Sequence, residues 1–193
     1  AAIAGARKAV EIAQQIVRSA PNGHEERYLL ARAYLALALS RTPDELQLAQ
    51  EARRILERLL EERPDQARLR RALGVVEHRV GSYYVSVPQD YRSALPHLRR
   101  ALDLFEAAAR DDPADGRMQM EISMQCYLIA ICLRDLRDLR DLPATETHAR
   151  RAVEIRRRLH TADPQNMRVR DGLAAAHRLL GDVQADLNQP DNA

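Results

Sequence analysis

Four prolines recur along this chain, and each has the same kinds of residue at the same distances on either side. They are Pro21, Pro64, Pro113 and Pro164. Twelve residues before them stand Ala9, Ala52, Ala101 and Ala152. Ten residues after them stand Ala31, Gly74, Ser123 and Ala174, and seventeen after them stand Ala38, Gly81, Ala130 and Gly181. Such a repeat predicts a string of similar helical units, each stacked on its neighbours.

The residues around each proline predict a helix, a tight turn and a second helix. Before Pro164, Ala152, Ile155 and Leu159 recur at spacings of three and four, which places them on one helical face. The residue before a proline is disfavoured in the α region, so the first helix ends there. The proline can then open the next helix at its first turn. Since the spacing between prolines varies, we expect constant helices and one connection of variable length.

Composition favours an all-α chain. Hydrophobic residues make up 46% of the sequence but aromatic residues only 4%, and strands favour aromatic and β-branched side chains. We predict about eight helices, over residues 1–19, 23–40, 43–62, 65–82, 91–111, 114–140, 142–162 and 165–187. In the helix before Pro164, the outward-facing residues are predicted to be Glu154, Arg156, Arg157 and Arg158.

Several local signals refine these boundaries. Thr42 is predicted to cap a helix that has Pro43 at its first position, and Asp90 and Asp141 are predicted to cap two later helices. Pro96 is expected to kink its helix or to delay the start. The small residues at the repeated positions predict close approach between neighbouring helices, where a larger side chain would overpack.

Charge is balanced along the sequence, with 30 basic residues against 28 acidic ones. Because the two signs interleave, a salt-bridged helical surface is favoured over nucleic-acid binding. The nucleic-acid alternative would use Arg68, Arg70, Arg71 and Arg156 to Arg158. No stretch reaches the roughly 20 apolar residues of a membrane-spanning helix, and no signal peptide opens the chain. Its first residues are helical in character, which predicts a start within a helix of a longer protein.

Catalytic chemistry has little support in the sequence. The six histidines show no metal-ligand spacing, so we predict no catalytic, cofactor-binding or metal-binding residue, and no enzyme activity. Cys126 and Cys132 lie six residues apart on one predicted helix, about 9 Å along its axis and on different faces. This spacing predicts two buried thiols rather than a disulfide.

These offsets resemble the tetratricopeptide repeat family, over nearly the whole chain. The matching pairs in the first helix of each unit are Leu30/Ala31, Leu73/Gly74, Ile122/Ser123 and Leu173/Ala174. In the second helix the recurring alanine is followed by Ile16, Leu59, Ala108 and Leu159. The resemblance implies one domain over 1–193, a right-handed superhelical stack of about four antiparallel helix pairs. Two departures are a unit longer than the family's and the lack of its early aromatic residue, replaced by Arg27, Arg70, Gln119 and Arg170.

A narrower resemblance concerns the long repeats that follow the catalytic domain of some bacterial serine/threonine protein kinases. It is carried by the segments 152–155, 162–166 and 180–183, and no kinase motif occurs in the chain. It implies a non-catalytic part of a bacterial signalling protein. Such a part would lie in the cytoplasm, or outside it if a membrane anchor precedes it in the longer protein.

The family also implies a concave groove lined by the first helix of each pair. Its positions fall four, seven, eleven and fourteen residues after each proline. The groove residues that we predict to contact a ligand are Tyr28, Arg32, Arg68, Arg71, His78, Arg117, Met120, Met124, Tyr127, Arg168 and Arg178. The remaining groove positions are Glu25, Leu35, Val75, Asp171 and Ala175.

This groove predicts a protein or peptide partner with an acidic or amphipathic segment, because arginine forks bind carboxylates and methionine adapts to varied shapes. The family's carboxylate-clamp residues are not present at the matching positions. Two alternatives stay open: that these residues pack against neighbouring turns, and that the chain is a self-associating module with no peptide ligand. The triplet repeat over 133–142 is interpreted as a solvated helix extension or as a contact between copies, with Arg134/Asp138 and Arg137/Asp141 as ion pairs.

Overall fold

The computed structural model describes residues 2–40, 42–110, 112–136 and 141–188, with Ala2 described for its backbone alone. These residues form eight α-helices and no strand, which confirms the all-α prediction. In chain order the helices are α1 (Ala2–Ser19), α2 (His24–Ala38), α3 (Glu45–Glu62), α4 (Ala67–Ser86), α5 (Tyr91–Ala109), α6 (Gly116–Asp135), α7 (Leu142–Ala162) and α8 (Met167–Leu187).

Each of the four repeated prolines lies in a turn that precedes the next helix. In each turn, the amide of the residue two positions after the proline donates to the carbonyl of the residue directly before the proline. The donor and acceptor residues are Gly23 and Ala20, Gln66 and Arg63, Asp115 and Asp112, and Asn166 and Asp163. A proline at the second position of a turn has its preferred φ. The prediction that the proline itself opens the helix is therefore wrong, and the helix begins three residues later.

The last residue of this turn is also the N-cap of the following helix. Asp115 caps α6, because its Oδ1 accepts from the amides of Arg117 and Met118 at 2.9 and 3.2 Å. Asn166 caps α8 by accepting from the amide of Val169 at 3.3 Å. The turn thus joins two helices in a fixed geometry and satisfies amides at the start of the second one.

The three caps predicted in the other connections have different outcomes. Asp90 caps α5 by accepting from the amide of Ser93 at 3.0 Å, as predicted. Thr42 does not cap α3: Asp44 is the N-cap residue, and the Thr42 hydroxyl is buried without a hydrogen-bond partner. Asp141 precedes α7 without a side-chain cap, and its carbonyl accepts from the hydroxyl of Thr145 at 2.8 Å.

The lengths of the helices account for much of the variation between repeats. α2 has 15 residues, whereas α4 and α6 have 20 each. The expectation that the helices are constant is therefore wrong. Pro96 lies inside α5, which begins at Tyr91, so it does not delay the start of that helix.

The helices pack mainly against their neighbours in chain order. One apolar cluster joins α2, α3 and α4, and a second joins α5, α6 and α7 around Phe105. Tyr84 packs against both clusters, and Leu179 and Val183 attach α8 to a third. The core is therefore a continuous seam along the chain, not a single centre.

Ion pairs also join helices that are two apart in sequence. Arg100 of α5 pairs with Glu57 of α3 at 2.7 Å, and Arg151 of α7 pairs with Glu106 of α5 at 2.5 Å. Among the even-numbered helices, Arg134 of α6 pairs with Asp186 of α8 at 2.7 Å. The odd-numbered helices α3, α5 and α7 are thus linked to one another, as are the even-numbered ones. The predicted partners of Arg134 and Arg137 involve residues 137–140, outside the described residues.

The repeated small residues are buried in the middle of the chain but not at its ends. Ala52, Ala101 and Ala152 are fully buried, and a Cβ on Gly74 would lie 2.7 Å from the Phe105 ring. At the ends, Ala9 of α1 and Ala174 and Gly181 of α8 are exposed. The prediction of close helix approach is confirmed for the middle units and is wrong for these three positions, where no following or preceding helix is described.

No described helix combines the length and the apolar character needed to cross a bilayer.

Candidate functional site: the face of the even-numbered helices

The residues predicted for the groove lie on α2, α4, α6 and α8. The structure connects several of them directly, from one even-numbered helix to the next. We call this surface the even-helix face, and define it by the positions four, seven, eleven and fourteen residues after each repeated proline. Its two halves differ in how far their charges are paired within the protein.

Between α2 and α4 the charge of Arg68 is paired internally, whereas Arg32 is exposed and forms no ion pair with a described residue. Arg68 forms a two-point ion pair with Glu25, and its guanidinium carbon lies 5.0 Å from the ring centre of Tyr28. The hydrogen bond lowers the pKa of Glu25 and raises that of Arg68, because each group favours the charged form of the other. Arg32 lies 6.0 Å from the same ring centre. Arg68 is therefore occupied within the chain.

Between α4 and α6 the face is also joined by polar contacts. Arg71 pairs with Asp115 at 3.0 Å, and the His78 ring contacts the buried Gln125 side chain at about 3.1 Å. Burial lowers the pKa of His78, although its contact with Gln125 opposes this. Leu35 and Val75 pack against the apolar clusters. These residues therefore fit the alternative in which predicted groove residues pack against neighbouring turns of the protein.

Between α6 and α8 the face opens into two shallow cavities. One has a volume of about 370 Å³ and is lined by Arg117, Met120 and Glu121 of α6 and Arg168 of α8, among others. The second has a volume of about 290 Å³ and is lined by Tyr127, Arg134, Ala175 and Arg178, among others. Most of the groove positions of these two helices thus line the two cavities, but Met124 and Asp171 line neither.

Three arginines on this half have no carboxylate partner in the described part of the chain. Arg117, Arg168 and Arg178 are all exposed, and none forms an ion pair with a described residue. Arg134 is different, because Asp182 and Asp186 both pair with it and its hydrogen bond to Asp186 raises its pKa. The α6–α8 half of the even-helix face therefore presents free guanidinium groups beside Met120, Met124 and Tyr127.

Arg156 of α7 lies beneath this half of the face. Its side chain is 2% exposed, so the prediction that it faces outward is wrong, and it is removed from the nucleic-acid alternative. Its Nε donates to the Ser123 hydroxyl at 3.3 Å and its Nη1 to the Gly172 carbonyl at 2.7 Å. Burial lowers its pKa. Helical periodicity missed this residue, but the repeat could have found it: Phe105 and Leu56 stand at the same distance before their prolines.

A second buried charge, also missed from the sequence, lies between α4 and α5. Glu77 is fully buried, and its carboxylate contacts Nδ1 of His97 at 2.7 Å and Nη1 of Arg100 at 2.9 Å. Tyr84 stacks on the His97 ring, with the ring centres 5.9 Å apart. Because the carboxylate pairs with Arg100 and contacts the His97 ring, this cluster ties α4 to α5.

The remaining reactive side chains are enclosed. Cys126 and Cys132 are both buried, as predicted, and burial raises their pKa to about 11 and about 12. Such thiols are poor nucleophiles because little thiolate is present at neutral pH. In the described ranges, no group of three or more histidine, cysteine, aspartate and glutamate side chains is arranged to hold a metal ion.

No protein-family model matches this chain, and no curated protein is significantly similar to it.

Proposed function

We propose that this chain is a tetratricopeptide-type interaction scaffold that binds an acidic or amphipathic peptide segment of a protein partner on its even-helix face. In this proposal the helices coil into a right-handed superhelix, and the face is its concave side. The chain has no catalytic role of its own. The narrower resemblance supports a place in a bacterial signalling protein, beside a kinase domain.

The observation that carries the proposal is the difference between the two halves of the face. The arginines of α4 are neutralised by Glu25 and Asp115. On α6 and α8, Arg117, Arg168 and Arg178 are exposed and unpaired among the described residues. A ligand carboxylate gains a two-point contact there without displacing an internal partner. We therefore place the peptide along the α6–α8 half, with its apolar side chains against Met120, Met124 and Tyr127.

A blocked peptide of defined sequence tests this proposal. The probe is fluorescein-labelled acetyl-(Leu-Leu-Glu-Glu)₃-amide, and binding is followed by fluorescence anisotropy. The combined variant Arg117→Gln/Arg168→Gln/Arg178→Gln should weaken binding roughly tenfold or more, since each lost charge-assisted contact contributes about 1.5–3 kcal/mol when desolvated and less when exposed.

The matched control removes three exposed arginines from odd-numbered helices, in the variant Arg54→Gln/Arg58→Gln/Arg157→Gln. It changes the net charge equally and should bind as the wild type does. Equal losses in the two variants would mean that only the overall charge matters. The Gln-containing peptide, acetyl-(Leu-Leu-Gln-Gln)₃-amide, should bind more weakly than the Glu-containing probe. Equal binding of the two peptides would also reject the proposal.

Self-association is a second candidate, favoured by two exposed isoleucines one turn apart on α1. Ile12 and Ile16 are 46% and 40% exposed. Sedimentation velocity over a wide concentration range should detect a dimer that the variant Ile12→Glu/Ile16→Glu abolishes. If the protein is monomeric at all concentrations and binds the peptide, self-association is rejected and peptide binding remains as the proposed function.

A further inference from the structure

Arg156 is a buried cation without a buried anion. Among the described residues, no carboxylate lies within ion-pair distance of its guanidinium; its contacts are Ser123, Gly172, Met124 and the Tyr127 ring. A charge removed from water is costly unless it is paired and hydrogen-bonded. The equivalent residues of the two preceding units are Phe105 and Leu56, both fully buried and apolar. The arginine therefore replaces a side chain that packs without this cost.

The three nitrogen atoms of the guanidinium are not equally satisfied. Nε and Nη1 donate to oxygen atoms of Ser123 and Gly172. Nη2 has only the sulfur of Met124, at 3.9 Å, and a thioether is a weak acceptor. Nη2 is therefore the guanidinium nitrogen with the weakest acceptor, and it lies against Met124 of the even-helix face.

The cover over this nitrogen is suited to displacement. Met124 is a partly buried residue of α6, and methionine has an unbranched, readily rearranged side chain. Tyr127, one turn further along α6, places its ring centre 4.8 Å from the guanidinium carbon. Both residues belong to the α6–α8 half of the face, where the exposed Arg117, Arg168 and Arg178 also attract anions.

We propose that Arg156 is a recognition residue for one carboxylate of the peptide ligand, which enters between Met124 and Tyr127 and replaces the thioether at Nη2. This inference rests on the proposed function and deepens it. In this proposal the exposed Arg117, Arg168 and Arg178 attract any acidic segment. Arg156 binds a carboxylate only at one position along the ligand. The carboxylate belongs either to an acidic side chain or to the C-terminus of the ligand, and both present the same two oxygen atoms.

The test compares Arg156→Met with Arg157→Met, which removes the same charge from an exposed position on the same helix. With the acetyl-(Leu-Leu-Glu-Glu)₃-amide probe, we expect Arg156→Met to weaken binding roughly tenfold, the contribution of one charge-assisted hydrogen bond. We expect less than about a twofold effect from Arg157→Met. With the Gln-containing peptide, Arg156→Met should have no effect. A Gln-containing peptide with a free C-terminus tests the chain end as the source of the carboxylate.

A second measurement uses the wild-type protein, so it does not depend on the folding of a variant. The guanidinium ¹⁵N resonances of Arg156 are assigned by their loss in Arg156→Lys. They should shift when a carboxylate-bearing probe is added and stay unchanged with the blocked Gln-containing peptide. If the wild type binds the Glu-containing probe but neither Arg156→Met nor these resonances respond, this inference fails and the proposed function stands. If no probe binds, both fail.

Discussion

Glycine at one repeat position has opposite surroundings in the second and fourth units. A Cβ on Gly81 would lie 2.7 Å from Cδ2 of the buried Leu98, whereas a Cβ on Gly181 would have no atom within 4 Å. We predict that Gly81→Ala destabilises the fold by about 1–3 kcal/mol through overpacking. Gly181→Ala should stabilise it by about 0.5–1 kcal/mol, because alanine is the better helix former. Urea denaturation of both variants measures these changes; equal effects would contradict the packing described around Gly81.

His78 should make stability depend on pH. Its pKa is lowered by burial from an ordinary value of 6.5, and the groups facing it are Gln125, Ser82, Glu121 and Arg79. Below about pH 6.5 the unfolded chain therefore binds a proton that the folded chain binds less readily. The free energy of unfolding should be greatest above this pH and should fall as the pH decreases through the interval below it.

The variant His78→Gln should flatten this part of the pH profile, measured by denaturant unfolding between pH 7.5 and about pH 5. His177 lies thirteen residues after Pro164, next to the equivalent position held by Arg178, and it is exposed, so His177→Gln is the control. Burial also lowers the pKa of His148, so the free energy of unfolding should keep a smaller dependence on pH in both variants. A steeper fall in His78→Gln than in the wild type would contradict a lowered pKa of His78 in the folded protein.

At the scale of a helix, two aspartates that precede α5 and α7 have different roles. Asp90 accepts from the amide of Ser93, and hydrogen bonds from the Ser93 side chain and from this amide lower its pKa. Asp141 makes no such bond. Asp90→Ala should therefore cost about 0.5–2 kcal/mol of stability, and Asp141→Ala should cost much less. Thermal unfolding of the two variants at neutral pH separates them, and similar losses would show that the Asp90 cap contributes little.

The boundaries of the helices were less predictable than their number. A proline fits both the first turn of a helix and the second position of a tight turn, and the sequence around Pro164 satisfies either. What decides between them is a cap-forming residue two positions later, such as Asp115 after Pro113 and Asn166 after Pro164. The cap-forming residue can be read from the sequence, but the aspartates directly before the same two prolines are also candidate N-caps.

At the scale of the molecule, the helices differ in how many neighbours support them. α1 packs mainly on α2, and α8 mainly on α7, whereas α4 and α5 share the most extensive interface. We predict the slowest amide hydrogen exchange in α4, α5 and α6 and the fastest in α1 and α8, since local opening costs least where buried contacts are fewest. Native-state exchange followed by mass spectrometry tests this order. Uniform protection across all eight helices would indicate one cooperative unit.

The repeat predicted the all-α class and the helices that carry the even-helix face, because periodicity and spacing are local properties. It did not predict which of the face's arginines are free. That depends on contacts between residues of adjacent units, as for Arg68 with Glu25 and Arg100 with Glu57, each 43 residues apart. A search for opposite charges at this separation would have found both pairs. A comparison of equivalent positions between units would likewise have predicted that Arg156 is buried.

The pair of Glu25 and Arg68 also restricts how such a chain can change by recombination. The position four residues after the repeated proline holds Glu25 in the first unit and arginine in the others, at Arg68, Arg117 and Arg168. Arginine already stands at this position in three successive units, so Glu25 is the one carboxylate among the four. Exchanging the first unit with a later one would remove the two-point partner of Arg68 and leave its charge unpaired at that position. The first unit is therefore tied to its place in the order, whereas the other three are not distinguished at this position.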